Sequence, residues 1–250
     1  MKVLEMKEIH KIFKGNEGKA VVALKDVDLH VKAGETVGIV GESGSGKSTI
    51  ARLIARIIKP TAGTITLKGH PIPKSNKDLK AYYRHVQMVF QRPLEAFSSK
   101  MTIRSYMIQP ILNYGLCDRT AMDEKVIDML KRVGLDESFM DKYPYELSGG
   151  QLQRVVIARV LMIAPELIIF DECTSALDVH TERKIIGLIE ELKAGKSFSS
   201  IFITHNILLA RKMCDRIYVM KEGQVMEIIT KDSDYEHLYT KQLFDSIMTV

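Results

Sequence analysis

From Gly41 the chain reads Gly41-Glu42-Ser43-Gly44-Ser45-Gly46-Lys47-Ser48, a complete G-x-x-x-x-G-K-[ST] string, followed by Thr49. These residue types suit a polyphosphate. Glycines let the backbone curl until successive N–H groups point at one anion. A helix starting at the loop adds unpaired N–H groups and the positive end of its dipole. Lys47 brings a full positive charge to the β- and γ-phosphates, and the Ser48 hydroxyl can ligate Mg²⁺. The string points to a nucleoside triphosphate and leaves the task open.

Two further strings carry chemistry. Leu167-Ile168-Ile169-Phe170 is an apolar run ending in Asp171-Glu172. In a parallel sheet, such a strand end opens onto the ligand crevice. Asp171 is placed to hold a Mg²⁺ shell, and Glu172 to orient or deprotonate an attacking water. The plainer alternative is a pair of acids favoured at a helix start. In Leu147-Ser148-Gly149-Gly150-Gln151, Ser148 suits an N-cap and two glycines bare the backbone. That terminus is a second anion site. If both anion sites act on one nucleotide, they come from different subunits.

Strands and helices must position these strings. Val27, Leu29 and Val31 alternate with polar residues as in a half-exposed strand, Ala33-Gly34-Glu35 is a turn, and Thr36–Val40 reads as a buried strand. Ser48–Ile58 reads as a helix stopped by Pro60. Thr64–Lys68 and Val86–Phe90 read as strands, and residues 93–163 are mostly helical in pattern. There Val126, Met129, Leu130 and Val133 share one helix face, with Gly134 as its stop. Alternation then resumes: strand Leu167–Phe170, helix Glu182–Leu192, strand Ser200–Thr204, helix Ile207–Cys214, strand Ile217–Met220, and a peripheral helix from about Asp232. This is an α/β core with parallel strands, interrupted by a helical insertion.

Composition bounds the task. The 250 residues carry 36 Lys+Arg against 31 Asp+Glu, and 46 % are hydrophobic, as in a soluble globular chain rather than a disordered one. The positive residues are scattered, which disfavours a dedicated nucleic-acid binder. No stretch approaches ~18 apolar residues, and Met1–Lys11 lacks a signal-peptide core, so any membrane work passes through a partner. Cys117, Cys173 and Cys214 lie far apart and read as buried small hydrophobes in a reduced setting.

Leu147–Gln151, continued by Leu152-Gln153-Arg154-Val155-Val156-Ile157-Ala158-Arg159, resembles the signature motif of ATP-binding cassette (ABC) ATPases. With the phosphate loop, the Asp171-Glu172 strand end, Ser175-Ala176-Leu177-Asp178 and His205 in order, the resemblance covers nearly the whole chain. It implies ATP held between two head-to-tail cassettes. Gly41, Glu42, Ser43, Gly44, Ser45, Gly46, Lys47, Ser48 and Thr49 bind its phosphates on one side. Ser148, Gly149, Gly150 and Gln151 close over the γ-phosphate of the other cassette. Gln91, after the strand Gln87–Phe90, matches the Q-loop, a Mg²⁺ and water contact linked to the membrane partner. Asp178 matches the D-loop, and His205 the switch histidine at the γ-phosphate. Phe13 matches the aromatic that stacks on adenine, its alternative being a core strand residue. The implied fold is a P-loop NTPase core with a mixed parallel sheet, an N-terminal antiparallel β subdomain and an inserted α-helical subdomain.

Gln151-Leu152-Gln153-Arg154, Ile203-Thr204-His205, Met213-Cys214-Asp215-Arg216, Gly223-Gln224-Val225 and His237–Leu243 look like the peptide/nickel import subfamily, the last as a degraded His-Pro-Tyr-Thr segment. That resemblance implies a single ATPase domain over 1–250, a helical subdomain over about 93–163, and a peripheral segment over about 232–250. Its implied partners are a second ABC ATPase subunit (heterodimer before homodimer), permease subunits and an extracytoplasmic binding protein, with no nucleic acid. The implied setting is the cytoplasmic membrane face, and the implied cofactors are ATP and Mg²⁺. The alternatives are an exporter or lipoprotein-releasing ATPase, or a non-transport ABC ATPase. Two residues depart from the family pattern: Cys173 replaces a frequent Pro or Ala, and Asn206 a usual Asp. No Cys follows Cys214, so no iron–sulfur cluster is expected.

Overall fold

The computed structural model describes residues 1–14, 20–98, 100–195, 198–230 and 235–248. In chain order its elements are β1 (Lys2–Lys14), β2 (Ala20–Lys32), β3 (Thr36–Gly41), α1 (Lys47–Ile54), β4 (Ala62–Leu67), β5 (His70–Pro71), α2 (Leu79–His85), β6 (Val86–Val89), α3 (Ile103–Tyr114), α4 (Met122–Arg132), α5 (Gly149–Leu161), β7 (Leu167–Asp171), α6 (Val179–Ala194), β8 (Ser199–Ile203), α7 (Ile207–Met213), β9 (Arg216–Lys221), β10 (Gln224–Thr230) and α8 (Leu238–Met248). The chain forms two compact units, one of residues 1–83 with 199–250, the other of residues 84–198.

The first unit joins both ends of the chain. β1 and β2 pair antiparallel along their 13-residue lengths, and β4 pairs antiparallel with the other edge of β1. Val27, Leu29 and Val31 face inward, as their alternation requires. β3 is buried along its whole length between β8 and β9, parallel to both. Such a strand reads as continuously apolar, as Val37, Ile39 and Val40 do. β10 returns antiparallel along β9.

In the second unit β7 pairs parallel with β6. Helices α3, α4 and α5 share a core of Ile103, Met107, Val126, Leu130, Leu152 and Val155. The local rules agree with this packing. Thr102 caps α3 through the Ser105 N–H, and Gly115 ends it in the left-handed region. α4 carries Asp123 and Glu124 in its first turn and Lys131 and Arg132 in its last, as its dipole favours.

The structure corrects several boundaries. α1 ends at Ile54, not Ile58, because Arg56 adopts φ 58° and the Ile57 and Ile58 N–H groups both turn back to Arg52 O. The chain opens on two long strands, and α2 and β10 join the expected elements. The last helix starts at Leu238, not Asp232, and residues 231–234 lie outside the described set.

Candidate nucleotide-binding site

β3 delivers the chain to Gly41, whose φ is 149°. A Cβ there would overlap the Met220 carbonyl on β9, so the loop can start only with glycine. Gly46 opens α1 at φ 103°, and a Cβ there would lie 2.8 Å from Ala23 O. Among the described residues, no side chain caps α1 and its first turn holds no acid, the arrangement of a helix start that suits an anion. Lys47 is 5 % exposed, and its Nζ donates to Gly41 O and Glu42 O, both at 2.8 Å. Ser48 and Thr49 are half-buried in the first turn, while Glu42, Ser43 and Gly44 are exposed and Ser45 is buried.

Two braces hold this loop from behind. The Gly223 N–H, in the β9–β10 turn, donates to Ser45 O at 3.1 Å. The Glu42 N–H donates to the Tyr239 hydroxyl of α8 at 3.4 Å. Burial lifts the Tyr239 phenol above its usual range, and the Glu42 charge adds to this while the Glu42 N–H opposes it.

In the second unit, β7 carries Asp171 to its end, 9 % exposed. Glu172 follows at φ 47°, a left-handed backbone that only surrounding structure can sustain in a side-chain-bearing residue. That support is visible: the Ser175 N–H and hydroxyl both donate to Glu172 O, at 3.1 and 3.0 Å. Gln91 Nε2 donates to Ser175 Oγ at 3.0 Å. Ser175 therefore links Gln91 to the Glu172 backbone and leaves the Gln91 carbonyl oxygen free of that bond.

Ser148 is the N-cap of α5 in a full capping box: its Oγ accepts from the Gln151 N–H at 3.4 Å, and Gln151 Oε1 accepts from the Ser148 N–H at 2.9 Å. Gly149 is exposed, and Gly150 is buried against Thr181. Asp178 caps α6, accepting from the His180 and Thr181 N–H groups at 3.1 and 3.0 Å and from Thr181 Oγ1 at 2.6 Å. The Thr181 hydroxyl first, then these N–H groups, holds its carboxyl below the usual range. Gly150, Thr181 and Asp178 thus fasten the starts of α5 and α6 together.

Phe13 is 37 % exposed, not in the core, with Lys11 Nζ 4.7 Å above its ring. His205 is exposed after β8, and among the described residues no hydrogen bond or ion pair ties it to residues 41–49. Asn206 is the N-cap of α7, accepting from the Leu209 N–H at 3.1 Å, a role Asn fills as well as Asp. Cys214 and Cys173 are buried as expected, but Cys117 is half-exposed. Burial pushes the Cys173 thiol up to about 12, so near neutral pH it stays protonated and a poor nucleophile. Ser175, Thr181, Gly223 and Tyr239 escaped the sequence reading. Ser175, Gly223 and Tyr239 fall inside the strings that carry the family resemblance but have no role of their own there, and Thr181 falls in none of them.

Taken one by one, Ser48 in the first unit offers a hydroxyl, and in the second unit Asp171 offers a carboxylate and Gln91 an amide oxygen, each an oxygen of the kind Mg²⁺ takes. Among the described residues no cluster of three or more His, Cys, Asp or Glu could hold a metal by itself.

A profile of the family described as "ABC transporter" matches residues 24–175. The chain belongs to the ABC transporter family. The oligopeptide transport ATP-binding protein AppF of Bacillus subtilis (strain 168) is 40 % identical, covering 98 % of this chain and 78 % of the relative. The nickel import ATP-binding protein NikE of Escherichia coli (strain K12) is 40 % identical, covering 82 % of this chain and 76 % of its own. The fold is similar to the ATP-binding cassette MJ0796 in a dimeric post-hydrolysis state bound to ADP and Pi, with TM-score 0.82 and 33 % identity over 92 % of this chain and all of that one. It is equally similar to cbiO1 of Clostridium perfringens, part of the cbiONQ transporter complex: TM-score 0.82, 29 % identity, 99 % and 94 % of the two chains. This ABC protein binds ATP and is an ATPase. Among its described residues no helix is long and apolar enough to cross a membrane.

Proposed function

We propose that this ABC ATPase is the motor subunit of an importer for short peptides, nickel or a metal–chelator complex. It works at the cytoplasmic membrane face with a permease, a second ATPase subunit (a related chain before a second copy) and, indirectly, an extracytoplasmic binding protein. The observation that carries this reading is the 40 % identity to a peptide-transport and to a nickel-import ATPase. We take residues 1–250 as one ATPase domain, with about 93–163 as its inserted helical subdomain and about 232–250 as a peripheral segment.

The residues divide the work as follows. The N–H groups of Gly41–Thr49 and the Lys47 ammonium cradle the phosphates of ATP, whose adenine Phe13 covers. Ser48, Asp171 and Gln91 hold Mg²⁺, which when bound neutralises phosphate charge. Glu172 accepts a proton from a water whose oxygen bonds to the γ-phosphorus as the bond to the β–γ bridging oxygen breaks. His205 touches the γ-phosphate. Positioning and charge stabilisation carry such a reaction. Ser148, Gly149, Gly150 and Gln151 close over the nucleotide of the second cassette, and Asp178 communicates across that pair. Because closure is favoured only with ATP present, binding becomes movement.

Glu172→Gln tests this reading. The variant should bind Mg-ATP and fail to turn it over. Retained turnover would dismiss Glu172 as the base. Copurification with permease subunits and ATP-driven uptake of peptide or nickel into reconstituted vesicles test the transport role.

A further inference from the structure

The second residue of the C-terminal helix reaches back to the phosphate loop. Tyr239 is 6 % exposed, and its hydroxyl accepts from the Glu42 N–H at 3.4 Å. That N–H belongs to the peptide whose carbonyl is Gly41 O, the acceptor for Lys47 Nζ at 2.8 Å. One peptide unit is therefore gripped at its amide by Tyr239 and at its carbonyl by Lys47. The preceding residue is glycine at φ 149°, where no Cβ resists rotation of this peptide. A bond accepted from its N–H also strengthens its carbonyl as an acceptor.

The phenol is itself firmly held. Lys221 Nζ, at the end of β9, lies 4.6 Å from its ring centroid. The Tyr239 N–H donates to His237 Nδ1 at 3.1 Å, and Glu227 Oε1 accepts from the Glu236 and His237 N–H groups at 2.7 and 3.4 Å. Farther along α8, Phe244 stacks on Tyr235 at 4.5 Å, with the Arg211 guanidinium 5.6 Å from the Phe244 ring. The helix is thus tied to β10 and α7, and its hydroxyl is the link to the loop.

We propose that Tyr239 is a positioning residue of the ATP site, fixing the Gly41–Glu42 peptide on which Lys47 rests. The C-terminal segment then sets nucleotide affinity without touching nucleotide. This rests on the reading of Gly41–Thr49 as the ATP loop. One hydrogen bond corresponds to about 2- to 12-fold in an equilibrium constant, and the length of this one puts it at the low end.

The test compares the full wild-type chain with Tyr239→Phe, Tyr239→Leu and Lys47→Ala. It measures the Kd for Mg-ATP by calorimetry, hydrogen exchange at the Glu42 amide, and the thermal midpoint. Tyr239→Phe should weaken Mg-ATP binding about 2- to 4-fold and speed Glu42 exchange, while the midpoint and the α8 amides stay as in wild type. Tyr239→Leu, which also loses the ring, should lower the midpoint as well. Wild-type affinity in Tyr239→Phe overturns the proposal, whether or not Glu42 exchange changes, and so does weaker binding with unchanged exchange. Weaker binding with a lowered midpoint and faster exchange throughout α8 also overturns it, in favour of packing alone. Lys47→Ala separates the two readings. If it binds ATP as wild type does, the loop assignment falls and this inference with it. If it loses ATP while Tyr239→Phe does not weaken, only the inference falls.

Discussion

Gly150→Ala is the most discriminating single change at the start of α5. A Cβ at this position would fall well inside the contact distance of Thr181 Cγ2. Thr181 cannot swing aside freely, because its Oγ1 donates to Asp178 Oδ2 at 2.6 Å and its N–H donates to Asp178 Oδ1 at 3.0 Å. Rotating the side chain removes the hydroxyl bond, and keeping it forces α5 and α6 apart. Overpacking of this kind costs roughly 1–3 kcal/mol. Alanine returns about 0.5–1 kcal/mol of helix propensity, at the low end so near a helix start. The net loss is about 1–2 kcal/mol, or a fall in thermal midpoint of about 2–8 °C for a chain of this size. Thr181→Ser keeps the hydroxyl and deletes the offending methyl. In chemical and thermal melts of all four combinations, Gly150→Ala/Thr181→Ser should recover most of the loss, giving a coupling of about 1 kcal/mol or more. Strictly additive costs, or a Gly150→Ala variant as stable as wild type, would refute the contact and the locking of the two helix starts.

The remaining predictions concern thiols and a buried ion pair. A thiol reagent at pH 8 should label Cys117 in the folded chain and reach Cys173 and Cys214 only after denaturant, because both are buried and Cys173 stays protonated; mass spectrometry of labelled peptides checks this, and fast labelling of Cys173 would contradict it. Arg216→Ala leaves Glu35 without the guanidinium that binds it through Nε and Nη2 at 3.0 Å each, in a pair only 12 % and 11 % exposed. Breaking such a pair costs about 3–5 kcal/mol, and a shift below about 1 kcal/mol in urea unfolding would show that the cluster with His30 and Tyr218 is slack.

Much of the architecture is legible in local pattern. The runs Thr36–Val40 and Leu167–Phe170 are apolar without alternation, which is why they are buried as β3 and β7. Thr102, Ser148 and Asp178 each precede a helix that they then cap. The end of α1 was not legible, because Arg56 turns left-handed through tertiary contacts, its guanidinium donating to Pro73 O and Lys74 O. β10 was missed because Gln224–Thr230 mixes polar and apolar residues without clean alternation and pairs only through β9. At the site, the glycines of the loop declared themselves by spacing. Its braces did not, since Gly223 and Tyr239 lie far along the chain from the residues they hold.

The union of both chain ends in one unit sets an order of events during synthesis. Gly41–Thr49 is made early, but β8 and β9, which flank β3, and Gly223 and Tyr239, which hold the loop, come from residues 199–239. At about 5–20 residues per second, the ~200 residues between Gly41 and Tyr239 take roughly 10–40 s to appear. Throughout that interval the nascent chain carries the glycine loop without its neighbouring strands. The residues for the other unit, 84–198, are complete before these strands arrive. A ribosome-stalled fragment ending before residue 199 would therefore offer folded helices and no assembled nucleotide loop. Assembly of the loop with its flanking strands thus waits on residues 199–239, made well after the loop itself.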